Sequence, residues 1–488
     1  MTNILMLNPN DTQREIGVVE STKHYLVSIE GLPSARIHDV VIHQNGLRGI
    51  VTSLAHDVVK VMMLDPGEVK PGHHFDLKKQ SDQLSLGDHL FGRVISPLGD
   101  PIDGKASFPT RNAKIVLDKD AGDLASREEV TEQLETGFFA IDTLLPIGVG
   151  QRQLLMGPVQ SGTDAFVQRV MEHQKESGVV CVYAAIGRSA VYVRRMADAL
   201  FSTDAKNYTT IIASFSHDTT PLNTITPAVG LQVAEFFCDQ GKDVLLVLDD
   251  LYTQAKYLRE ISLLEGRLPG RDSYPGDIFY QQAHLIERAG NFRNRGSITM
   301  LPVLQNDIEG DVDLITTNVM GTTDGHVSFS PALASQGKFP PVIVDESVTR
   351  VGKNTQSIVQ KQMATKILSL LEEAESQERF SQFGAQITDH GREVIAQAAV
   401  VHLLLDQEET GWVDKNTQII LLALPLVSFW TNEKIKDFSR INEKIKTALV
   451  SDTVFAPLYA AVVGEKSLEA FLKKVVDTQK QFEKVCQK

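Results

Sequence analysis

Cysteine is scarce in this chain. Its 488 residues contain three, Cys181, Cys238 and Cys486, far apart and with no C-x-x-C pair. That excludes a disulfide framework and fits a reducing compartment. Long hydrophobic runs are also missing. The longest, Ile419 to Val427, is interrupted by Pro425 and is far shorter than the ~20 residues of a spanning helix. Met1 to Arg14 shows neither a basic-then-apolar secretory pattern nor an Arg-rich transit pattern. Positive charge is not in excess. Lys and Arg total 48 against 62 Asp and Glu, a formal net charge of −14. Nucleic-acid binders usually carry a basic face, so nucleic acid is not expected as the main partner. His73, His74 and His390 have no companions at metal-ligand spacing, so they read as ordinary polar side chains rather than zinc ligands.

The remaining pattern falls into three parts. Ile16–Val18, Tyr25–Ile29, Asp39–Ile42, Leu47–Val51 and Val58–Leu64 read as short strands. Turn signals such as Asn45-Gly46 and Pro71-Gly72 separate them, which predicts a small barrel or sandwich. Gly92–Lys105 is dense in Gly, Pro and Asp and reads as a linker. From about residue 130 to 355, apolar runs at Gln153–Met156, Val179–Ile186, Thr209–Phe215 and Val244–Leu248 alternate with helical segments such as Phe166–Glu176 and Ala228–Gln240. Alternation of this kind predicts a mostly parallel sheet covered by helices on both faces. After about 360, helical spacing dominates. Leu468, Phe471, Leu472 and Val475 follow i, i+3, i+4, i+7 and read as a core-facing stripe. The expected organisation is an N-terminal β-barrel domain (1–90), a P-loop α/β domain (91–365) and a C-terminal helical bundle (366–488).

The most telling residues are Gly157-Pro158-Val159-Gln160-Ser161-Gly162-Thr163-Asp164. The glycines have the spacing of a G-x-x-x-x-G-K-[ST] loop, between a predicted strand and a predicted helix. In a working loop, backbone N–H groups cradle phosphates, the Lys neutralises them and the hydroxyl holds Mg²⁺. Here Thr163 stands in place of the Lys and Asp164 in place of the hydroxyl residue. Pro158 also removes one N–H from the cradle. Losing two charge-assisted contacts at ~1.5–3 kcal/mol each would turn a micromolar site millimolar or weaker. A second element, Leu245-Leu246-Val247-Leu248-Asp249-Asp250, is an apolar strand ending in acid. Asp249 fits the Walker-B position, which acts on Mg²⁺.

Several long motifs then define a resemblance. Gly137–Gln153 (GFFAIDTLLPIGVGQRQ), Pro269–Tyr280 (PGRDSYPGDIFY) with Glu287-Arg288-Ala289, Thr316–Gly325 (TTNVMGTTDG), Glu346–Gly352 (ESVTRVG) and GRVISPLGDPIDGK at 92–105 resemble the alpha subunit of rotary F-type ATP synthase. The likeness runs from about residue 15 to at least 405. It implies a RecA-like P-loop core between the barrel and the helical bundle. Alpha subunits of that family alternate with catalytic beta subunits in a hexameric ring around a gamma shaft. ATP or ADP with Mg²⁺ is held at the interface with beta. The resemblance assigns an arginine finger, acting in trans, to Arg350, and an activity-associated serine to Ser347. The chain would then complete the beta subunit's site and be inactive in isolation. The complex would couple ATP synthesis or hydrolysis to proton or Na⁺ transport, at the cytoplasmic face of a bacterial plasma membrane. Membrane contact would be indirect and nucleic acid would not be a partner.

Departures from the family pattern carry further expectations. The altered loop predicts a home nucleotide site that is weak or empty. Arg188 stands where alpha subunits usually have Gln. A guanidinium cannot activate water as a carboxylate does, and Arg188 is expected to pair with Asp164 or Asp249 instead. The family's longer N-terminal segment docks a peripheral stalk through delta, so stalk attachment here is doubtful. Two other readings stay open at this point. One is a structural or regulatory ring subunit of a divergent assembly not coupled to ion transport. The other is a RecA-type RNA helicase, which the acidic charge and altered loop disfavour.

Overall fold

A computed structural model describes residues 15–77, 83–108, 112–175, 177–306, 313–382, 388–408 and 411–487. The segment ahead of the barrel, on which the stalk expectation rests, lies outside them.

The N-terminal part is a closed six-stranded antiparallel barrel. Its strands are Glu15–Lys23, Leu26–Glu30, Val40–His43, Arg48–Leu54, Val58–Met63 and His74–Leu77. Val27, Ile29, Val41, Val51, Val61 and Phe75 are completely buried and fill the interior. Every expected strand is present. The sixth was not foreseen, because His74–Leu77 is too short for a readable alternation. It pairs with both the first and the third strand and so closes the barrel, leaving no free edge.

The central domain is a nine-stranded, mostly parallel sheet. From one edge its path runs Val342–Thr349, Gly325–Phe329, Gln153–Pro158, Ser297–Asn306, Val244–Asp249, Val180–Arg188, Thr209–Phe215 and Arg93–Ile95. Gly290–Asn291 adds a short antiparallel pairing. The linker reading of 92–105 needs correcting: Arg93–Ile95 is an edge strand, parallel to Thr209–Phe215. Its two apolar residues are too few to register as a strand pattern. Along each central strand, successive residues enter opposite cores. Leu155, Cys181, Tyr183, Leu245 and Val247 belong to one apolar cluster. Leu154, Val180, Val182, Leu246 and Leu248 belong to another. Burial on both faces explains why these strands read as unbroken apolar runs.

Six helices position the site: α1 (Thr163–Glu172), α2 (Ala190–Phe201), α3 (Thr220–Cys238), α4 (Leu251–Leu264), α5 (Ile278–Glu287) and α6 (Leu314–Thr322). The chain then becomes helical, beginning with Ile358–Gln382. The 468–475 stripe packs as expected, with Phe471 and Val475 fully buried. Asp142 ties the helical part to the sheet. Its carboxylate accepts bonds from Thr136 N at 2.9 Å, Gly137 N at 2.8 Å and Gln418 Nε2 at 2.9 Å. Ile419–Val427 lies largely in the helix Lys415–Leu426, buried in that shared core. Among the described residues no single helix is long and apolar enough to cross a membrane.

Candidate functional site

The glycine loop leaves the C-terminal end of strand 153–158, between strands 297–306 and 325–329. Doubly wound sheets place ligands at this edge. Both loop glycines are sterically required. A Cβ at Gly157 would lie 2.7 Å from the Phe329 carbonyl oxygen, and one at Gly162 would lie 2.6 Å from Pro341 Cγ. Gly162 also has φ +84°, a region that favours glycine. The loop shape is therefore kept while its functional groups differ. Ser161 N donates to the Pro158 carbonyl at 3.1 Å, which closes a turn inside the loop. Val159 points outward, 54% exposed, and Gln160 adopts φ +68°. The Ser161 and Thr163 hydroxyls are buried and bonded to each other at 3.0 Å.

Asp164 sits in the first turn of α1, where a bound phosphate would meet the helix N-terminus. Its Oδ1 accepts from Gln305 Nε2 at 2.9 Å. Burial, reinforced by the nearby Asp249 charge, pushes its carboxyl above the ordinary range.

The centre of the site is Asp249, 1% exposed at the end of strand 244–249. Arg188, at the end of strand 180–188, grips it at two points. Nε meets Oδ2 at 3.0 Å, and Nη2 bonds Oδ1. The same guanidinium donates from Nη1 to Gln305 Oε1 at 2.9 Å and lies 3.7 Å from Asp250 Oδ2. The Tyr192 hydroxyl donates to Asp249 Oδ2 at 3.0 Å, and the Tyr183 hydroxyl donates to the same oxygen. The Tyr192 ring lies beneath the guanidinium, 5.0 Å from centroid to Cζ. Burial raises both phenols, and the adjacent Asp249 charge raises them further. Burial alone would lower the Arg188 value, but Asp249 outweighs it and the group is held firmly protonated. Asp250 caps α4 by accepting from Thr253 N. Burial pushes its carboxyl up to about 6.

The structure thus brings together the loop, Asp164, Arg188 and Asp249. Arg188 is paired with Asp249 and linked to Asp164 through Gln305. Tyr183, Tyr192 and Gln305 were missed in the sequence. Tyr183 and Gln305 lie within apolar strands, and Gln305 is 117 and 141 positions from the partners it bridges, so no local spacing marks them.

Arg350 and Ser347 lie elsewhere. Thr349 pairs with Gly325, and Gly325 pairs with Gln153. Arg350 is therefore at the opposite end of the strand whose Pro158 end opens the loop. Five residues at ~3.3 Å each set it about 16 Å along the sheet from that loop. Arg350 is exposed, and its Nη2 donates to the carbonyls of Met320 and Thr323 at 3.0 Å each. Ser347 is buried. Its Oγ donates to the Ile343 carbonyl at 2.6 Å and accepts from Ser328 N at 3.0 Å. It bridges the bulge where the last two strands slip register.

A cavity of about 360 Å³ adjoins the loop, lined by Gly162, Ala165, Lys338, Phe339, Gln407 and Glu408. The Gln407 side chain is committed to the backbone, bonding Gly137 O at 2.9 Å and Phe139 N at 2.8 Å.

A parallel sheet with a glycine loop at its C-terminal edge and an acid at the end of the next strand but one defines a P-loop nucleotide-binding fold. The ATP synthase alpha/beta family, nucleotide-binding domain, matches residues 137–349. The chain is 32% identical over 450 residues to "ATP synthase subunit alpha 2" of Nitrosospira multiformis, covering 91% of this chain and 88% of that protein. It is 35% identical to "ATP synthase subunit alpha" of Mycoplasmoides gallisepticum (92% and 89% covered) and 34% identical to that of Metamycoplasma arthritidis (85% and 79%). The chain belongs to the F-type ATP synthase alpha subunits.

Proposed function

We propose that this chain is a non-catalytic alpha-type subunit of a rotary ATPase or synthase that lends Arg350 to a neighbouring beta-type subunit. Family membership supports assembly with beta- and gamma-type subunits in an ATP synthase complex. The observation that carries the finer reading is the separation of the two charges. Arg188 is consumed by Asp249 at the home loop, while Arg350 faces outward at the far edge of the sheet.

The home loop does not fit a Mg²⁺–triphosphate. Asp249 already accepts bonds from Arg188, Tyr183 and Tyr192, so it lacks a free oxygen to act on a metal. No lysine reaches the loop from position 163, and the Asp164 carboxylate opposes an anion at the helix start. The Arg188 guanidinium instead supplies the positive charge that the cluster needs.

At the neighbour's site the chemistry requires only position and charge. Phosphoryl transfer spreads negative charge over the transferred oxygens, and a guanidinium brought from the next subunit stabilises it, contributing on the order of 10³–10⁵ in rate. The carbonyls of Met320 and Thr323 hold one edge of the Arg350 guanidinium and leave its remaining donors for that role. Ser347 is a positioning residue, fixing the strand that leads into Arg350. ATP and ADP with Mg²⁺ belong to the interface with the beta-type subunit. The complex couples their turnover to proton or Na⁺ movement at the cytoplasmic face of a bacterial plasma membrane. ATPase assays of the purified chain, alone and with its beta-type partner, test this reading: activity is expected only in the complex, and brisk turnover by the chain alone contradicts it.

A further inference from the structure

A second cavity, about 370 Å³, lies between α4, α5 and the barrel. It is separate from the glycine loop and shares no lining residue with the cavity beside it. Part of its wall is apolar, formed by Ile50, Met62, Ile225, Leu258, Ile261 and Leu285. Its polar lining is unusual. Gln282 Nε2 and Arg288 Nη2 are buried donors with no hydrogen-bond partner among the described residues. Gln254 Oε1, Ser262 Oγ and Glu265 Oε1 are buried and without partners in the same way. Gln282 is 1% exposed, Arg288 3%, Ser262 4% and Gln254 8%. Buried polar groups are normally satisfied, and several orphans lining one cavity point to a missing partner.

The orphans are sorted by element. The two donors come from α5 and the residue after it. The three oxygens come from α4 and the residue after it. The side chains are anchored through their other atoms. Gln282 Oε1 accepts from Asn318 at 3.0 Å, Arg288 Nε meets Glu235 at 2.9 Å, and Gln254 Nε2 meets the Thr224 carbonyl at 3.1 Å. Glu265 Oε2 pairs with Arg267 Nε at 2.6 Å. The four formal charges in the lining, Asp118, Glu265, Arg267 and Arg288, sum to zero, and each has a polar or charged partner, Asp118 lying 3.0 Å from His284 Nε2. A singly charged ligand would be buried unpaired, whereas an overall neutral one would not. The cavity volume falls within the range of small-molecule sites.

We propose that this cavity binds a small zwitterion, an α-amino acid with an apolar side chain. Its carboxylate accepts from Gln282 and Arg288. Its ammonium donates to Ser262 and Glu265, which are three residues apart on one face at the end of α4. Its side chain packs on Leu258, Ile261 and Leu285. The site is independent of the nucleotide reading, because none of these residues belongs to the loop or to the Asp249 cluster.

Equilibrium dialysis of L-leucine and L-phenylalanine against the full chain, alone and in complex with its partner subunits, tests the proposal. Saturable binding at one molecule per chain is expected. Gln282→Leu and Ser262→Ala should each weaken it by about tenfold or more. Should either variant misfold, the wild-type protein still decides. Leucinol, which lacks the carboxylate, and 4-methylpentanoate, which lacks the ammonium, should each bind more than about tenfold more weakly than leucine. Absence of saturable binding up to about 10 mM amino acid, well beyond any specific affinity expected for a built site, overturns the proposal. Equal binding by the folded variants or by the two analogues overturns it as well.

Discussion

Arg188 holds Asp249 through both carboxylate oxygens, from the end of one central strand to the end of its neighbour. The pair occupies the place where a P-loop protein would direct an acid at Mg²⁺. A buried pair adds little to stability as a whole, but losing one partner leaves the other charge stranded. Arg188→Gln should therefore destabilise the central domain by about 3–5 kcal/mol. Asp249→Asn should behave similarly, and the double substitution should cost less than the two single losses together. Urea denaturation of the four proteins checks this.

Mg-ATP should bind the isolated chain with a dissociation constant of about 1 mM or weaker, because no cation serves the loop and Asp249 is engaged. Replacing Thr163→Lys, Asp164→Thr and Arg188→Gln together should recover micromolar binding by restoring the lysine and hydroxyl and freeing Asp249. Equilibrium dialysis distinguishes the outcomes. Micromolar binding by the unsubstituted chain would mean the loop is not disabled.

Asp250 provides a pH test. Its folded-state value, about 6, lies above the ordinary carboxyl value of 3.8 because it is buried. The folded protein thus binds this proton more tightly than the unfolded chain. Its favourable contribution is present below about pH 4 and is lost as pH rises toward 6 and beyond. Asp250→Asn keeps an oxygen to cap α4 and removes the titration. Stability measured at pH 4 and pH 7 should show the variant gaining on the parent at the higher pH, by on the order of 1–2 kcal/mol. A gap that stays constant with pH contradicts this.

Ser347→Ala removes the hydroxyl that bridges Ser328 N and the Ile343 carbonyl. An unsatisfied buried N–H costs about 1–3 kcal/mol. In the assembled complex, kcat should fall with KM for ATP nearly unchanged, since Arg350 loses its support while the partner's substrate contacts stay. Recovery of kcat by Ser347→Thr would fit positioning. A rise in KM alone would not.

Much of the fold was legible because buried strands announce themselves. Val180–Ile186 and Val244–Leu248 are apolar throughout, since both faces of that sheet are covered. Short strands were not legible: Arg93–Ile95 and His74–Leu77 owe their strand form to neighbours distant in the chain. In the site, the loop could be read because its glycines answer a local steric demand. The Arg188–Asp249 pair was readable as one of two possibilities, since Asp164 and Asp249 both stood within plausible reach. Tyr183, Tyr192 and Gln305 could not be found, because their roles arise only when the strands lie side by side and α2 packs against them. The bond network of Ser347 was hidden for the same reason, as it depends on a register slip between two strands.

The central claim is that Arg350 acts on a neighbour's reaction. The most direct measurement is the steady-state ATPase rate of the chain assembled with its beta-type partner, with and without Arg350→Ala, after confirming that the ring still forms. The account predicts a loss in kcat of about 10³-fold or more in the substituted ring. An intact ring that hydrolyses ATP at the unsubstituted rate would contradict it.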